Sequence, residues 1–204
     1  VAVDFSNTSI HAVDYAVSRL EGSIAPDEDP AAVADRLRDV VEKANVKVYL
    51  GSIENEDSQG MGTTLTISVV LPGHLVTAHI GDSRAYLLHD GFLQRVTVDH
   101  TLVQELLEAG DLTPEEMFNH PKRNVITRAL GVPEYMQAET FIQSLRRGDR
   151  ILLCSDGLHG YVHESQIRQV LKKERDPSSA AGRLIELANA AGGEDNTTVV
   201  LCFL

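Results

Sequence analysis

Three short acidic turns are the segments of this sequence best suited to chemistry. Gly81-Asp82-Ser83-Arg84 lies between two predicted strands, Ser155-Asp156-Gly157 follows a buried strand, and Glu194-Asp195-Asn196-Thr197 precedes the last strand. Each places a carboxylate on backbone held by a sheet, with glycine nearby to permit close approach. Carboxylate oxygens suit hard divalent cations. A cation site is therefore one interpretation, and ordinary tight turns, which favour Asp, Asn and Gly, are the other.

The elements that position these turns are predicted from hydrophobic spacing. Apolar residues recur every three or four positions over 30–50, which predicts one long helix, and a shorter helix is predicted over 10–20. Two pairs of strands follow, joined by Pro72-Gly73 and by Asp90-Gly91. Because tight turns join consecutive antiparallel strands, we expect these four strands to form one meander.

The second half of the chain alternates helices with two short strands. A capping box with Pro in the first turn predicts a helix beginning at Thr113, and residues 118–140 are expected to be rich in loops. Runs of strands and runs of helices in separate segments indicate an α+β fold. Further helices are predicted over 99–109, 163–173 and 177–191, and strands over 150–154 and 197–203.

Composition limits the possible functions. The 204 residues, 43% of them hydrophobic, suffice for one large core, so we expect a single domain over residues 1–204. No uninterrupted apolar run approaches the roughly 18 residues of a membrane span, and no secretory signal is visible, so a cytoplasmic protein with no membrane contact is expected. A net charge of −12 argues against nucleic acid as a partner. Cys154 and Cys202 both lie in apolar runs, which predicts buried free thiols.

The wording and order of the motifs resemble one known family. Gly60-Met61-Gly62-Thr63-Thr64 is followed by the Asp82, Asp156 and Asp195 motifs, and His120-Pro121-Lys122-Arg123-Asn124 lies between them. This series is similar to that of bacterial metal-dependent protein serine/threonine phosphatases of the PP2C (PPM) family. Several motifs in the correct order are far more specific than any one of them.

The resemblance implies a four-layer α-β-β-α sandwich of two antiparallel sheets flanked by helices. It also implies two Mn²⁺ or Mg²⁺ ions at one end of the sandwich, bridged by the water that attacks phosphoserine or phosphothreonine in a protein substrate. A metal pair of this kind lowers the pKa of the water and neutralises charge on the phosphoryl group. We expect such a domain to be a monomer.

The same resemblance assigns roles to individual residues. Asp156 and Asp195 would each bind an ion of the pair, and Asp82 would join Asp156 in holding a weaker third metal. Asn196 would orient the loop or a water, and Gly157 would support these ligands from outside the coordination shell. Thr63 and Thr64 would pack beneath the site, Arg84 would pair structurally near its turn, and 105–128 would form the flap beside the cleft.

The sequence departs from the family at its start. The family carries a phosphate-binding Arg, an Asn-Glu-Asp motif and then Asp-Gly-Met-Gly-Gly, whereas ungapped alignment places Val3-Asp4-Phe5-Ser6-Asn7-Thr8 at the last of these. The chain is therefore expected to lack the family's N-terminal strand pair. Asp4 could serve as the missing ligand after a one-residue slip. Alternatively the motif is lost, or the active-site half lies upstream of Val1.

Two hypotheses follow. The chain is either an active phosphatase or a catalytically silent PP2C-fold module that binds a phosphoprotein and regulates it. Histidines do not decide between them. His159 and His163 are expected to be exposed or to cap helices, and His120 is expected to be structural, with proton donation to a leaving group as the alternative.

Overall fold

The long helix is the best-specified element of the fold. In the computed structural model, which describes residues 16, 18, 20, 24–54 and 60–204, α1 spans Pro30–Glu54. Asp29 accepts a hydrogen bond from the Ala31 amide, and Pro30 occupies the first turn. The predicted apolar stripe, including Val33, Leu37 and Val41, is fully buried. The helix forms because one face of it can leave water.

The described residues contain seven strands, which form two antiparallel sheets. The first sheet has the order β1-β2-β5 and the second β4-β3-β6-β7. The strands are β1 Leu65–Leu71, β2 His74–Ile80, β3 Arg84–His89, β4 Phe92–Arg95, β5 Glu139–Ser144, β6 Arg150–Cys154 and β7 Val199–Phe203. The helices that follow α1 in the described part of the chain are α2 Leu102–Ala109, α3 Pro114–Phe118, α4 Asp156–His159, α5 Glu164–Lys173 and α6 Pro177–Ala190.

Three apolar clusters separate four layers. One packs α1 against the first sheet, one lies between the sheets, and one packs the second sheet against α5 and α6. The cluster between the sheets contains Leu75, Ala85, Leu87, Val96, Leu145, Ile151 and Leu153. The predicted α+β sandwich with the layer order α-β-β-α is confirmed.

The predicted four-stranded meander is wrong. β1 and β2 pair with each other, as do β3 and β4, but the two hairpins belong to different sheets. The segment 81–83 therefore carries the chain from one sheet to the other. The reason lies in burial, because β2 is buried on both faces and each hairpin can pack against its own helices while sharing the central cluster. Alternation along a strand does not reveal which strand lies beside it.

Other elements differ from prediction at their edges. The helix predicted over 99–109 begins at Leu102, because Thr101 takes the N-cap and leaves Asp99 and His100 in extended chain. β5 and α4 were not predicted. Both thiols are free, and Cys154 is buried as expected, with a pKa raised to about 12 by burial, but Cys202 is exposed.

Several predictions from the sequence are confirmed. The capping box of α3 forms between Thr113 and Glu116, α6 is capped by Asp176, and turns dominate 118–138. The helix predicted over 10–20 falls mostly outside the described residues, and the three residues of it that are described are helical. None of the helices described is both long enough and apolar enough to cross a membrane.

Candidate metal-binding cleft

Strand register places Asp82 and Asp156 opposite each other. β3 and β6 are antiparallel neighbours with Arg84 paired to Cys154. Asp82 precedes Arg84 by two residues and Asp156 follows Cys154 by two, so both carboxylates lie just beyond the same end of the ladder, close enough for the charge of Asp156 to raise the pKa of Asp82. The Asp82 and Asp156 motifs are far apart in the sequence, but the β3–β6 ladder brings them close together in the fold.

The turn that carries Asp82 is attached firmly to its surroundings. The Gly81 amide donates to Nδ1 of His100 at 3.0 Å, and the His100 amide donates to the Gly81 carbonyl at 2.8 Å. Ser83 and Thr64 share a hydroxyl hydrogen bond of 2.9 Å. Asp82 itself is buried, with 6% of its surface exposed. The carboxylate therefore sits on backbone that has little freedom to move.

Glycine is required at the start of this turn. Gly81 has φ +103, in the region that side chains rarely adopt, and a Cβ there would lie 2.5 Å from Cβ of Thr64. Thr63 and Thr64 are buried beneath the turn, as predicted, and Thr63 forms a β-bridge with Leu130. The Gly60-Met61-Gly62-Thr63-Thr64 motif thus supports the Gly81-Asp82-Ser83-Arg84 motif by packing beneath it.

Asp195 is held in a different way. The Ser155 hydroxyl donates to the Asn196 carbonyl at 3.2 Å, and the Thr197 hydroxyl donates to the Gly157 carbonyl at 3.0 Å. A Cβ on Gly157 would overlap the Asn196 carbonyl, so glycine lets the two segments touch. Asp195 is exposed, and its Oδ1 accepts the Asn196 amide at 2.7 Å.

One cleft of about 770 Å³ collects all three predicted aspartates, Asp82, Asp156 and Asp195. The predicted flap region forms a wall of it. That wall contributes Leu107, Pro114, Glu115, Met117, Asn119, Arg123 and Asn124. The opposite wall comes from α4 and the residues after it, including His159 and Glu164. The volume of the cleft is in the range of ligand-binding clefts in proteins.

Carboxylates dominate the electrostatics of the floor of the cleft. Burial, followed by repulsion from Asp156 and Asp99, raises the pKa of Asp82 to about 7. Asp99 behaves oppositely. Burial acts to raise its pKa, but the adjacent Arg84 guanidinium outweighs burial and lowers the pKa below its usual value. The negative charge of Asp82 is therefore less well compensated than that of Asp99.

Arg84 is committed to structure, as the sequence predicted. Its Nε donates to Oδ1 of Asp99 at 2.9 Å and its Nη2 to Oδ2 at 2.6 Å, while Nη1 donates to the Tyr86 hydroxyl. The pair is largely buried, with side-chain exposures of 14% and 3%. Asp99 was missed because its sequence position suggested the start of a helix.

The structure shows the contacts of the three histidines considered in the sequence. Nε2 of His159 lies 2.9 Å from the Asp82 carbonyl, and the partly buried ring, whose pKa burial lowers to about 3, lines the cleft. The prediction of an exposed or capping His159 is therefore wrong. His163 caps α5, as predicted. Nδ1 of His120 accepts the Lys122 amide, a local structural contact.

The donor set fits a hard divalent cation, although it is incomplete within the described residues. Residues 16, 18, 20, 24–54 and 60–204 contain no group of three His, Cys, Asp or Glu side chains arranged to hold a metal ion. Asp82 and Asp156 nevertheless oppose each other, and a cation would relieve the repulsion between them. Asp195 stands in the same cleft as a further donor. Asp4 lies outside the described residues.

Comparison with known proteins identifies the family. The family model for protein phosphatase 2C matches residues 4–197. The chain belongs to the protein phosphatase 2C family. Members of this PP2C family are metal-dependent enzymes, which agrees with the carboxylate chemistry of the cleft.

Relatives of the PP2C chain agree in sequence and in structure. This chain is 41% identical over 165 residues to the serine/threonine phosphatase stp of Listeria monocytogenes. The match covers 81% of this chain and 66% of stp, so the chain spans just under two thirds of the length of that relative. The crystal structure of serine/threonine phosphatase Stp1 from Staphylococcus aureus superposes with a TM-score of 0.91 at 34% identity, covering 96% of this chain and 76% of Stp1.

A third relative is informative about metals. The catalytic domain of the serine/threonine protein phosphatase PstP in complex with two manganese ions has a TM-score of 0.82 to this chain at 36% identity. The match covers 95% of this chain and 79% of that one. The two manganese ions are bound by PstP.

Proposed function

We propose that this chain is a metal-dependent protein serine/threonine phosphatase that hydrolyses phosphoserine and phosphothreonine. The observation that carries the proposal is the opposition of Asp82 and Asp156, set by the β3–β6 register, in a cleft that also contains Asp195. Membership of the PP2C family and the names of the relatives support it. Mn²⁺ or Mg²⁺ is the proposed cofactor.

The residues of the cleft have separable roles. Asp156 and Asp195 would hold the catalytic cations, Asp82 and Asp156 would hold a further one, and Asp4 would be an additional ligand. Bound cations would supply a water of lowered pKa and would neutralise charge on the phosphoryl group. Asn196 and Gly157 maintain the approach of the Asp195 loop to α4.

The flap offers the substrate a mixed surface. Leu107 and Met117 are apolar, whereas Glu115, Asn119 and Arg123 carry polar groups, and all five line the cleft. Walls of this kind can bind the residues on either side of a phosphorylated hydroxyl amino acid. Phosphorylated protein is therefore the proposed partner.

The alternative is a catalytically silent PP2C module, suggested by the absence of Asp-Gly-Met-Gly-Gly. Loss of that motif would remove a carboxylate and a glycine loop from the cation site. The two functions differ in one measurable respect, since a silent module need not turn over any phosphate ester.

Turnover of p-nitrophenyl phosphate tests the enzyme hypothesis. We expect Mn²⁺-dependent turnover by the wild type and its loss, by at least about 1000-fold, in Asp156→Asn. Asp39→Asn, on the exposed side of α1, is the matched control and should retain wild-type turnover. Phosphoserine and phosphothreonine peptides should then be cleaved in preference to phosphotyrosine peptides. Absence of metal-dependent turnover in the wild type would favour the silent module.

Three further properties are proposed with the function. Residues 1–204 form one PP2C-like domain, the protein is a cytoplasmic monomer, and neither nucleic acid nor membrane is a partner. Light scattering tests the oligomeric state. Limited proteolysis that leaves one resistant fragment supports the single domain.

A further inference from the structure

His159 connects the two turns that carry the opposed carboxylates. It is the last residue of α4, the helical turn that begins at Asp156. Residues three positions apart in a helix lie on the same face, so the side chains of Asp156 and His159 are neighbours. From there its Nε2 reaches the carbonyl of Asp82 at 2.9 Å. One side chain thus joins the backbone of the Asp82 turn to the element that carries Asp156.

The chemistry of this contact is fixed by the acceptor. A carbonyl oxygen can only accept, so Nε2 carries the hydrogen and the ring donates. The other hydrogen bonds around the turn attach it to different elements. Thr64 and Thr66 bind Ser83 from the first sheet, and His100 binds Gly81. These contacts hold the turn in place but do not link it to α4.

The need for such a link follows from the charges. Asp82 is buried opposite Asp156, and the two carboxylates repel each other in the absence of a cation. The β3–β6 ladder ends at the pair Arg84–Cys154, so the last two residues on each side lie beyond its hydrogen bonds. The His159 contact crosses this gap directly, so it opposes any increase in the separation of the two carboxylates caused by their repulsion.

We propose that His159 is a positioning residue that sets the separation of Asp82 and Asp156 and thereby tunes the affinity of the cation they share. The proposal deepens the function given above and rests on it. His159 acts through the Asp82 backbone and is not itself a metal ligand. A purely structural histidine would affect folding alone, whereas a positioning residue affects cation binding in a folded protein.

Calorimetric titration of the full chain with MnCl₂ tests the proposal. In His159→Leu and His159→Met, which lack the donor, we expect Mn²⁺ binding at the site containing Asp82 to weaken about tenfold. His159→Gln places an amide donor at similar reach and should bind within about threefold of the wild type. His74→Leu, at the far end of β2, is the control and should bind as the wild type does.

A double-mutant cycle separates positioning from folding. In an Asp82→Asn background the cation site is already damaged, so His159→Leu should weaken Mn²⁺ binding no further. Thermal unfolding identifies any variant that is not folded, and His159→Met and His159→Gln still decide the matter if Leu is not tolerated. Equal Mn²⁺ affinity in His159→Met and the wild type would overturn the proposal, as would an equal loss in the Asp82→Asn background.

The outcome is distinguishable from failure of the proposed function. Mn²⁺ binding that weakens in His159→Met, in a protein that hydrolyses no phosphate ester, would support the positioning role and refute the phosphatase. Metal-dependent turnover by the wild type, together with His159 variants that bind Mn²⁺ as the wild type does, would support the phosphatase and refute the positioning role. A wild type that neither binds Mn²⁺ nor turns over substrate would refute both.

Discussion

The turn carrying Asp82 and the loop carrying Asp195 deliver the same chemical group to one cleft by different means. Asp82 is buried and its turn is bound by His100, Thr64 and His159. Asp195 is exposed, and its loop is held through backbone contacts with Ser155 and Gly157.

This difference in burial determines what each carboxylate can contribute to cation binding and to stability. A buried carboxylate opposite another one stores repulsion that a cation can relieve, whereas an exposed carboxylate is solvated and can adjust its position. We therefore expect substitutions around Asp82 to change stability as well as cation binding. Substitutions around Asp195 should change function with little effect on stability.

The largest expected effect separates the two regions by stability. Asp99→Ala would leave Arg84 buried beside the Asp82 turn without its main partner, and should lower the free energy of unfolding by about 3–5 kcal/mol. Asp195→Ala removes an exposed side chain and should change it by less than about 0.5 kcal/mol. Urea denaturation measures both. Similar losses of unfolding free energy in Asp99→Ala and Asp195→Ala would show that the two regions do not differ in their contribution to stability.

The next effect tests how tightly the Asp82 turn is packed. Gly81→Ala combines φ +103 with overlap on Thr64, and should lower the free energy of unfolding by about 3 kcal/mol. Gly73→Ala has a similar positive φ but open space around it, and should cost about 1 kcal/mol. The difference between the two, measured by urea denaturation, isolates the contact with Thr64. No difference would show that the turn is loosely packed.

Protonation of His79 in acid should destabilise the fold. Burial, followed by the charge of nearby His100, lowers the pKa of His79 to about 3. The unfolded chain therefore binds more protons between about pH 6.5 and pH 3, and stability falls as the pH drops through that window. Between pH 7 and pH 5 the loss due to His79 should be about 2 kcal/mol.

His79→Gln provides the check on this prediction. The variant lacks the titrating ring. Between pH 7 and pH 5 its free energy of unfolding, measured by urea denaturation, should therefore fall by about 2 kcal/mol less than that of the wild type. An unchanged difference between the two pH values would assign the acid sensitivity to other groups.

A smaller stability loss than that of Gly81→Ala is expected on the Asp195 side. Gly157→Ala would overlap the Asn196 carbonyl, but the exposed loop can shift, so we expect a loss of about 1 kcal/mol. Turnover should fall further, by about 100-fold, because Asp195 is displaced. Gly182→Ala, on the exposed face of α6 with open space around it, should raise stability by about 0.5–1 kcal/mol and leave turnover unchanged. A stability loss at Gly157 as large as that at Gly81 would contradict the comparison.

Local features of the fold were predictable from the sequence. The stripe of α1, the Thr113 capping box and the first hairpin each depend on residues within a few positions of one another. The pairing of hairpins was not predictable, since β2 is buried on both faces and its alternation fits more than one neighbour. β5 was missed because this edge strand is only partly buried and its pattern is mixed.

The grouping of the three aspartates was predictable from the sequence, but the contacts that support it were not. The motif resemblance placed Asp82, Asp156 and Asp195 together, and all three line the same cleft. The contacts of Asp99 with Arg84 and of His159 with Asp82 depend on tertiary packing that no local pattern encodes.

Anomalous diffraction from a manganese-soaked crystal would show directly whether Asp82 and Asp156 share a cation. We predict anomalous density for Mn²⁺ in the cleft, within about 2.5 Å of carboxylate oxygens of both Asp82 and Asp156. Manganese bound elsewhere, or a cleft that stays empty of anomalous density while these two carboxylates point apart, would contradict it.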